Sequence, residues 1–409
     1  MRILFLAQYI TWDGNPAFMR NRTGYGYMVK DIAEAVGVLE HVDLLTMSGF
    51  TTKTQYGHIH LLTKTKWGTL FHIKGRYLIE WMRFTRRYSF SFKRKLQLFT
   101  YYASLGYVDH VVKKGKYDLV HIHGVGGITA GYEAVCQRYH VPCVFTLHGL
   151  NSFEDGIIME PEEQKHEKDF LEVALVQKKA LIFISTGIKN QVVKFLKSNL
   201  VRSFFVVTNG TSIDKCIINE NIRSVYGIKD TDFLFVYVGN ISTRKNQIQV
   251  ARAFQLLPEL LRSRLKILFV GNENDKELSE FITRNQLSDR LICTGNIPKK
   301  EIHNFYLAAN ATIMSSLSEG FGLSIIEGFV YGKPNVAFAD LAAIPDLYDK
   351  NAMVLVHERT DAALARGIEE VVVRAWDEEW IAGYAKKFSL ESMARRYVEV
   401  YKEVVNCEN

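Results

Sequence analysis

The sequence has no apolar run long enough to span a bilayer, no low-complexity tract and no internal repeat at a short fixed period. Those absences set aside a helical membrane protein, a disordered chain and a repeat array. The N-terminal run Ile3-Leu4-Phe5-Leu6-Ala7 is short and lacks a cleavage-site pattern, so it reads as a buried first strand. Cysteine is sparse: Cys136, Cys143, Cys216, Cys293 and Cys407 are odd in number, scattered and without C-x-x-C spacing. That argues against zinc or dithiol redox chemistry and fits a reducing cytosol. A large charge of one sign is missing too, the formal net charge being +7 over 409 residues. The excess is concentrated: residues 76–95 hold Arg76, Arg83, Arg86, Arg87, Lys93, Arg94 and Lys95 against the single acid Glu80.

A chain of this length exceeds what one hydrophobic core serves, so two domains are expected. Short β-branched apolar runs, each followed by turn residues and helical periodicity, predict a parallel α/β architecture. The strand candidates form two series, 3–7, 42–46, 119–123, 143–147, 181–185 and 204–208, then 233–238, 266–270, 291–293, 311–314, 335–339 and 352–356. Between them, residues 209–232 are polar and turn-rich, with apolar periodicity only around 213–218. The domains are placed at 1–212 and 213–388. The helical stretch 389–409 is expected to pack back on the first. Two doubly wound sheets put ligand sites at the carboxyl ends of their strands, and facing domains then share a cleft.

In the second series, the strand 311–314 leads into Ser315-Ser316-Leu317-Ser318-Glu319-Gly320-Phe321-Gly322-Leu323-Ser324 and then a helix. Glycines let backbone approach a ligand, and the N–H groups of a helix start suit phosphate. Glu327, near that start, is placed to accept from a vicinal diol such as ribose, and Glu319 from sugar hydroxyls. Ser324 with Glu327 also fits a ligand-free capping box. After the strand 233–238 come Gly239, Arg244 and Lys245, cations suited to a diphosphate.

The whole segment 319–327, EGFGLSIIE, followed by Tyr331-Gly332-Lys333-Pro334, resembles the signature of family-4 retaining glycosyltransferases (glycosyl transferases group 1). The resemblance implies a GT-B fold: two Rossmann-like domains facing across a cleft. It also implies that Arg244 and Lys245 stabilise a departing nucleoside diphosphate, although the family usually follows that pair with glycine and this chain has Asn246. Gly271 matches a Gly-x-Gly position that Asn272-Glu273 leaves incomplete. Residues 295–298 are expected to face the base through backbone groups.

In the first domain, Thr23-Gly24-Tyr25-Gly26 resembles the family's glycine-rich loop, and Asn209-Gly210 its hinge turn. His121, His123 and His148 each lie at a strand end; His148 matches the family position beside the transferred sugar, and the other two read as strand-end residues. Tyr77, Trp81, Phe84, Tyr88 and Phe92 recur at helical spacing beside the basic residues of 76–95. That describes either a cationic interfacial helix at an anionic membrane or a core helix with a solvated basic face.

The resemblance implies a retaining, metal-independent glycosyltransferase of the hexosyl type, with catalytic residues His148, Arg244, Lys245 and Glu319. The donor residues are Gly24, Gly26, Asn209, Gly239, Gly271, Gly320, Phe321, Gly322, Leu323, Ser324 and Glu327. A UDP- or GDP-linked sugar is expected as co-substrate with no cofactor, a glycan or lipid-linked acceptor (glycolipid) as the second substrate, and nucleic acid is not expected as a partner. The place of action is the cytoplasm or the inner face of the membrane, in cell-surface polysaccharide synthesis. A nucleotide-sugar epimerase or a non-catalytic nucleotide-sugar-binding relative is the alternative.

Overall fold

The computed structural model describes the chain except residues 14, 16–17, 20–22, 48–49, 51–54, 154–159, 199–202, 216–220, 275 and 409. Cys216 and the last part of the 213–218 periodicity therefore lie outside the described residues. The chain forms two compact units. The first comprises Met1–Phe153, a second run ending at Asn209, and the chain from Leu390 on; the second consists in the main of Gly210–Ser389.

The first unit carries β1 (Arg2–Ala7), β2 (His41–Thr46), β3 (Gln55–Tyr56), β4 (Ile59–Leu61), β5 (Leu119–His123), β6 (Cys143–Leu147), β7 (Ala180–Phe183) and β8 (Phe204–Val206), in the order β3-β4-β2-β1-β5-β6-β7-β8. Pairing is parallel except between β3 and β4. The second unit carries β9 (Phe233–Val238), β10 (Leu265–Val270), β11 (Leu291–Gly295), β12 (Ala311–Met314), β13 (Asn335–Phe338) and β14 (Met353–Val356), all parallel, in the order β11-β10-β9-β12-β13-β14. Helices cover both faces of such sheets, which is why β1 and β9 are apolar along most of their length. In each sheet the order reverses at the first strand, between β1 and β5 and between β9 and β12. Ligands of doubly wound folds bind at such switch points.

Two helical readings change. The Thr23–Gly26 stretch is not a loop: Thr23 caps the helix Gly24–Gly37 by accepting the Gly26 N–H at 3.2 Å, so both glycines belong to its first turn. The basic stretch 76–95 is broken at residues 88–91 into the helices Gly75–Arg87 and Phe92–Gly115. Most of its aromatic stripe faces inward. Tyr77 and Tyr88 are buried and donate to Asp109 and Asp169, and Phe84 packs on Phe90 and His166. Only Phe92 is exposed. That stripe is therefore core, because burial of four aromatic faces with hydroxyl and indole partners outweighs their display to solvent.

The helix Leu390–Glu408 belongs to the first unit, where the Tyr401 hydroxyl shares a 2.7 Å hydrogen bond with His121 Nδ1. Within the second unit, near the two ends of its main stretch, Thr211 N–H donates to Phe388 O at 2.9 Å and Thr211 bridges Ser389. Among the described residues no helix is long and apolar enough to cross a membrane.

Candidate functional site

The loops after β9 and β12 meet at the switch point of the second sheet. Leu317 N–H donates to Arg244 O at 2.8 Å, and Ser315 Oγ to Asn246 O at 2.8 Å. Arg359, held by Asp340 at 2.7 and 2.8 Å, donates to Ser316 O at 3.1 Å and fixes the same loop from below. This zipping brings Lys245 Nζ onto Glu319 Oε1, with Arg244 Nη1 3.8 Å from Glu319 Oε2 and Ser316 Oγ donating to Oε1 at 2.7 Å. Burial alone raises the Glu319 carboxyl. The adjacent Lys245 and Arg244 charges and the two hydrogen bonds outweigh it and hold the group below its ordinary value. Glu319 is thus an ionised acceptor.

Gly239 and Gly271 end β9 and β10 beside this pair. A Cβ on Gly271, at φ +155°, would lie 2.4 Å from Gly239 O; one on Gly239 would lie 3.4 Å from Lys245 Cε. Gly271 bridges Gly295, so the three strand ends converge in bare backbone. Gly322 stands in the left-handed region as N-cap of the helix Leu323–Val330, with no side-chain cap. Ser324 lies inside the helix, so the capping box is not formed; in the first turn Ile325 N–H donates back to Gly322 O at 2.9 Å. Glu327 is the fifth residue of that helix rather than a first-turn one. Tyr306 donates to its Oε2 at 2.9 Å. The Phe321 ring is buried against Phe388, leaving that residue only its backbone to offer a ligand.

In the first unit, β6 delivers His148. Its Nε2 shares a 2.9 Å hydrogen bond with His123 Nδ1 at the end of β5, and Tyr25 packs edge-on against its ring at 5.1 Å. The Tyr25 hydroxyl donates to His123 O, tying the Gly24 and Gly26 helix start to the same place. Burial pulls His148 down to about 3, so its imidazole is neutral. His121 is a structural residue, spanned by Thr146 and Tyr401. Asn209, where the chain leaves this unit for the second, is buried.

The predicted residues thus gather in two groups, each within its own unit: Gly239, Arg244, Lys245, Gly271, Glu319, Gly320, Gly322, Leu323, Ser324 and Glu327 in the second, and Gly24, Gly26 and His148 in the first. Sequence reasoning missed Tyr306, Arg359, Ser316 and Tyr25. Only Ser316 and Tyr25 had a signal, adjacency to a motif.

The description "Glycosyl transferases group 1" matches residues 218–387, and "Glycosyltransferase Family 4" matches residues 58–214. The chain is 27% identical over 313 residues to D-inositol 3-phosphate glycosyltransferase of Thermobifida fusca, covering 71% of each chain. It is 27% identical over 172 residues to O-antigen chain mannosyltransferase B of Escherichia coli, covering 41% of this chain and 45% of that one. The solved structure of Anabaena Alr3699/HepE in complex with UDP and glucose superposes with a TM-score of 0.66 at 19% identity, over 98% of this chain and 100% of the other.

Proposed function

The chain belongs to the family-4 glycosyltransferases of group 1 and has the GT-B fold, and from that premise we propose that it moves a hexose from a UDP- or GDP-linked donor to a glycan or lipid-linked glycan with retention of configuration. The observation that carries the donor assignment is the convergence of Arg244, Lys245 and Glu319 on bare glycine backbone at the switch point of β9 and β12. The UDP and glucose bound by the Anabaena protein support it.

In this reading the diphosphate lies against Arg244, Lys245 and the start of the Leu323–Val330 helix. Glu327, oriented by Tyr306, accepts from the ribose hydroxyls, and Glu319 accepts from the sugar. The acceptor hydroxyl forms its bond to the anomeric carbon on the face from which the diphosphate departs, and its proton passes to a donor phosphate oxygen. Two cations and a helix start compensate the leaving charge without a metal, the electrostatic contribution that is often the largest in catalysis. Neutral His148 contacts the transferred sugar as a hydrogen-bonding group. A glycosidase would need a protonated carboxyl acid, and Glu319 is held ionised by two cations. The O-antigen enzyme among the similar proteins supports a polysaccharide acceptor, met as a lipid-linked chain at the inner face of a membrane.

The test is a screen of UDP- and GDP-sugars for turnover in the presence of a chelator, with the anomeric configuration of the product read by NMR. An inverted product, or loss of activity on chelation, rejects the corresponding part of the reading.

A further inference from the structure

β5 carries two histidines on one face, since residues two apart along a strand point the same way. The His121 and His123 rings lie against each other with centroids 4.0 Å apart, and Phe5 of β1 packs on both, at 4.6 and 5.1 Å. His121 has both ring nitrogens engaged, one by Thr146 and the other by Tyr401. His123 has only one engaged. Its Nδ1 meets His148 Nε2 at 2.9 Å, while its Nε2 is buried with no hydrogen-bond partner among the described residues.

That orphaned nitrogen tells where the protons are. Burial keeps the His123 and His148 rings neutral at neutral pH. Each ring then carries a single proton, and one of the two facing nitrogens must donate to the other. If His148 donated, the His123 proton would sit on Nε2 as a buried N–H with nothing to receive it. If His123 donates, the orphan is only a bare lone pair. A stranded buried N–H is the rarer of the two in folded proteins. His123 therefore carries its proton on Nδ1, and His148, which accepts through Nε2, carries its own on Nδ1.

The consequence falls on the atom left for a ligand. His148 is half-buried, and its Nδ1 has no partner among the described residues. Its surroundings are fixed: Tyr25 packs edge-on against the ring, the Tyr25 hydroxyl donates to His123 O at 3.2 Å, and Gly124 N–H donates to Thr146 O at 2.8 Å. With a proton on Nδ1, His148 can only donate there, so the group that it recognises offers an oxygen lone pair, as a sugar hydroxyl does.

We propose that His123 is a positioning residue: by donating to His148 Nε2 it fixes the neighbouring imidazole as an Nδ1–H donor toward an oxygen of the transferred sugar. Which ring nitrogen of a histidine holds the proton is set by the bond that the other one makes. The inference rests on the assignment of His148 to the sugar, but the place of the proton is read without substrate.

Long-range proton–nitrogen correlation spectra of the full chain, with the histidine ring nitrogens isotopically labelled, show which nitrogen is protonated. The signals are assigned by their loss in His148→Gln and His123→Leu. Both residues show Nδ1–H, whereas a free histidine side chain favours Nε2–H. In His123→Leu, which keeps the bulk but has no donor, the His148 proton moves at least in part to Nε2. With it, kcat/KM for the UDP- or GDP-sugar falls about tenfold, the loss of one buried hydrogen bond, while nucleoside diphosphate affinity is unchanged. His123→Asn, whose amide nitrogen can stand where Nδ1 stood, restores Nδ1–H on His148 and most of the rate. Nε2–H on His148 in the native protein overturns the proposal, as does Nδ1–H that persists in His123→Leu, or an equal rate in the leucine and asparagine variants. A native chain that turns over none of these donors rejects glycosyl transfer instead, and the spectra alone then judge the place of the proton.

Discussion

The ammonium of Lys245 is bonded to the carboxylate of Glu319, 74 residues later in the chain, and both are largely buried. Each neutralises the other where neither meets much water. Lys245→Ala therefore has two separable effects. Turnover falls by about 10²–10³, the usual loss when one preorganised charge at a developing anion is removed. Stability falls by about 1–3 kcal/mol, because Arg244 alone remains to face Glu319. Adding Glu319→Gln recovers most of the stability but not the turnover. Urea denaturation and steady-state rates on the two variants check this, and near-normal turnover in Lys245→Ala removes the catalytic assignment.

Glu327→Gln weakens nucleoside diphosphate binding about tenfold to a hundredfold, the range for losing a charged acceptor. Tyr306→Phe, which only releases the carboxylate from its orienting hydroxyl, weakens it by a smaller factor. Titration calorimetry with UDP and GDP reads both, and an unchanged affinity in Glu327→Gln takes the ribose role away.

The two glycines at the start of the Gly24–Gly37 helix differ in what surrounds them. A Cβ at Gly26 would lie 2.8 Å from Thr11 N, whereas one at Gly24 meets nothing within 4 Å. Gly26→Ala costs about 1–3 kcal/mol through overpacking. Gly24→Ala is neutral or stabilising by up to about 1 kcal/mol, since alanine is the better helix former. Thermal melts of both variants should separate clearly; equal melting temperatures would mean that the helix start sits differently.

Burial lowers His148 to about 3 and His166 to about 4, and takes His121 and His123 well below their ordinary value. For each, the unfolded chain binds the proton first on acidification. Stability therefore declines as pH falls below about 6.5, by up to about 1.4 kcal/mol per pH unit per histidine. His166, packed edge-on between Phe84 and Tyr88, lies outside both groups of functional residues. His166→Phe should flatten the acid slope measured by denaturation at about pH 7 and about pH 5 while leaving turnover at neutral pH alone. An unaltered slope would show that His166 is already charged in the fold.

What the sequence disclosed follows from where information is local. β1 and β9 announce themselves as unbroken apolar runs because both faces of their sheets are covered. Gly239, Arg244 and Glu319 stand beside strand ends, so their neighbourhood could be read as loop chemistry. The pairings that give the loops their geometry are long-range: Arg359 under Ser316, Tyr306 on Glu327, Tyr401 on His121. No spacing encodes them. β3 and β4 are too short to show alternation. In the Phe92–Gly115 helix, Leu98 and Leu105 face the core while Phe92 and Leu96 face out, so no single apolar stripe exists to be seen. Periodicity found the Tyr77-Tyr88 stripe but not its inside, and the exposed Ile79 and Met82 lay on the face that looked merely basic.

The bridge between Thr211 and Ser389 has a consequence for the order in which the protein is made. The whole sheet of the second unit comes from an uninterrupted stretch whose two ends are already hydrogen-bonded to one another, so it can close as soon as Ser389 has emerged. The first unit, begun earlier, completes its packing only when Tyr397 and Tyr401 arrive to bond Thr146 and His121. Domains that fold as units during synthesis usually finish in chain order. In this protein the half that is started first is completed last.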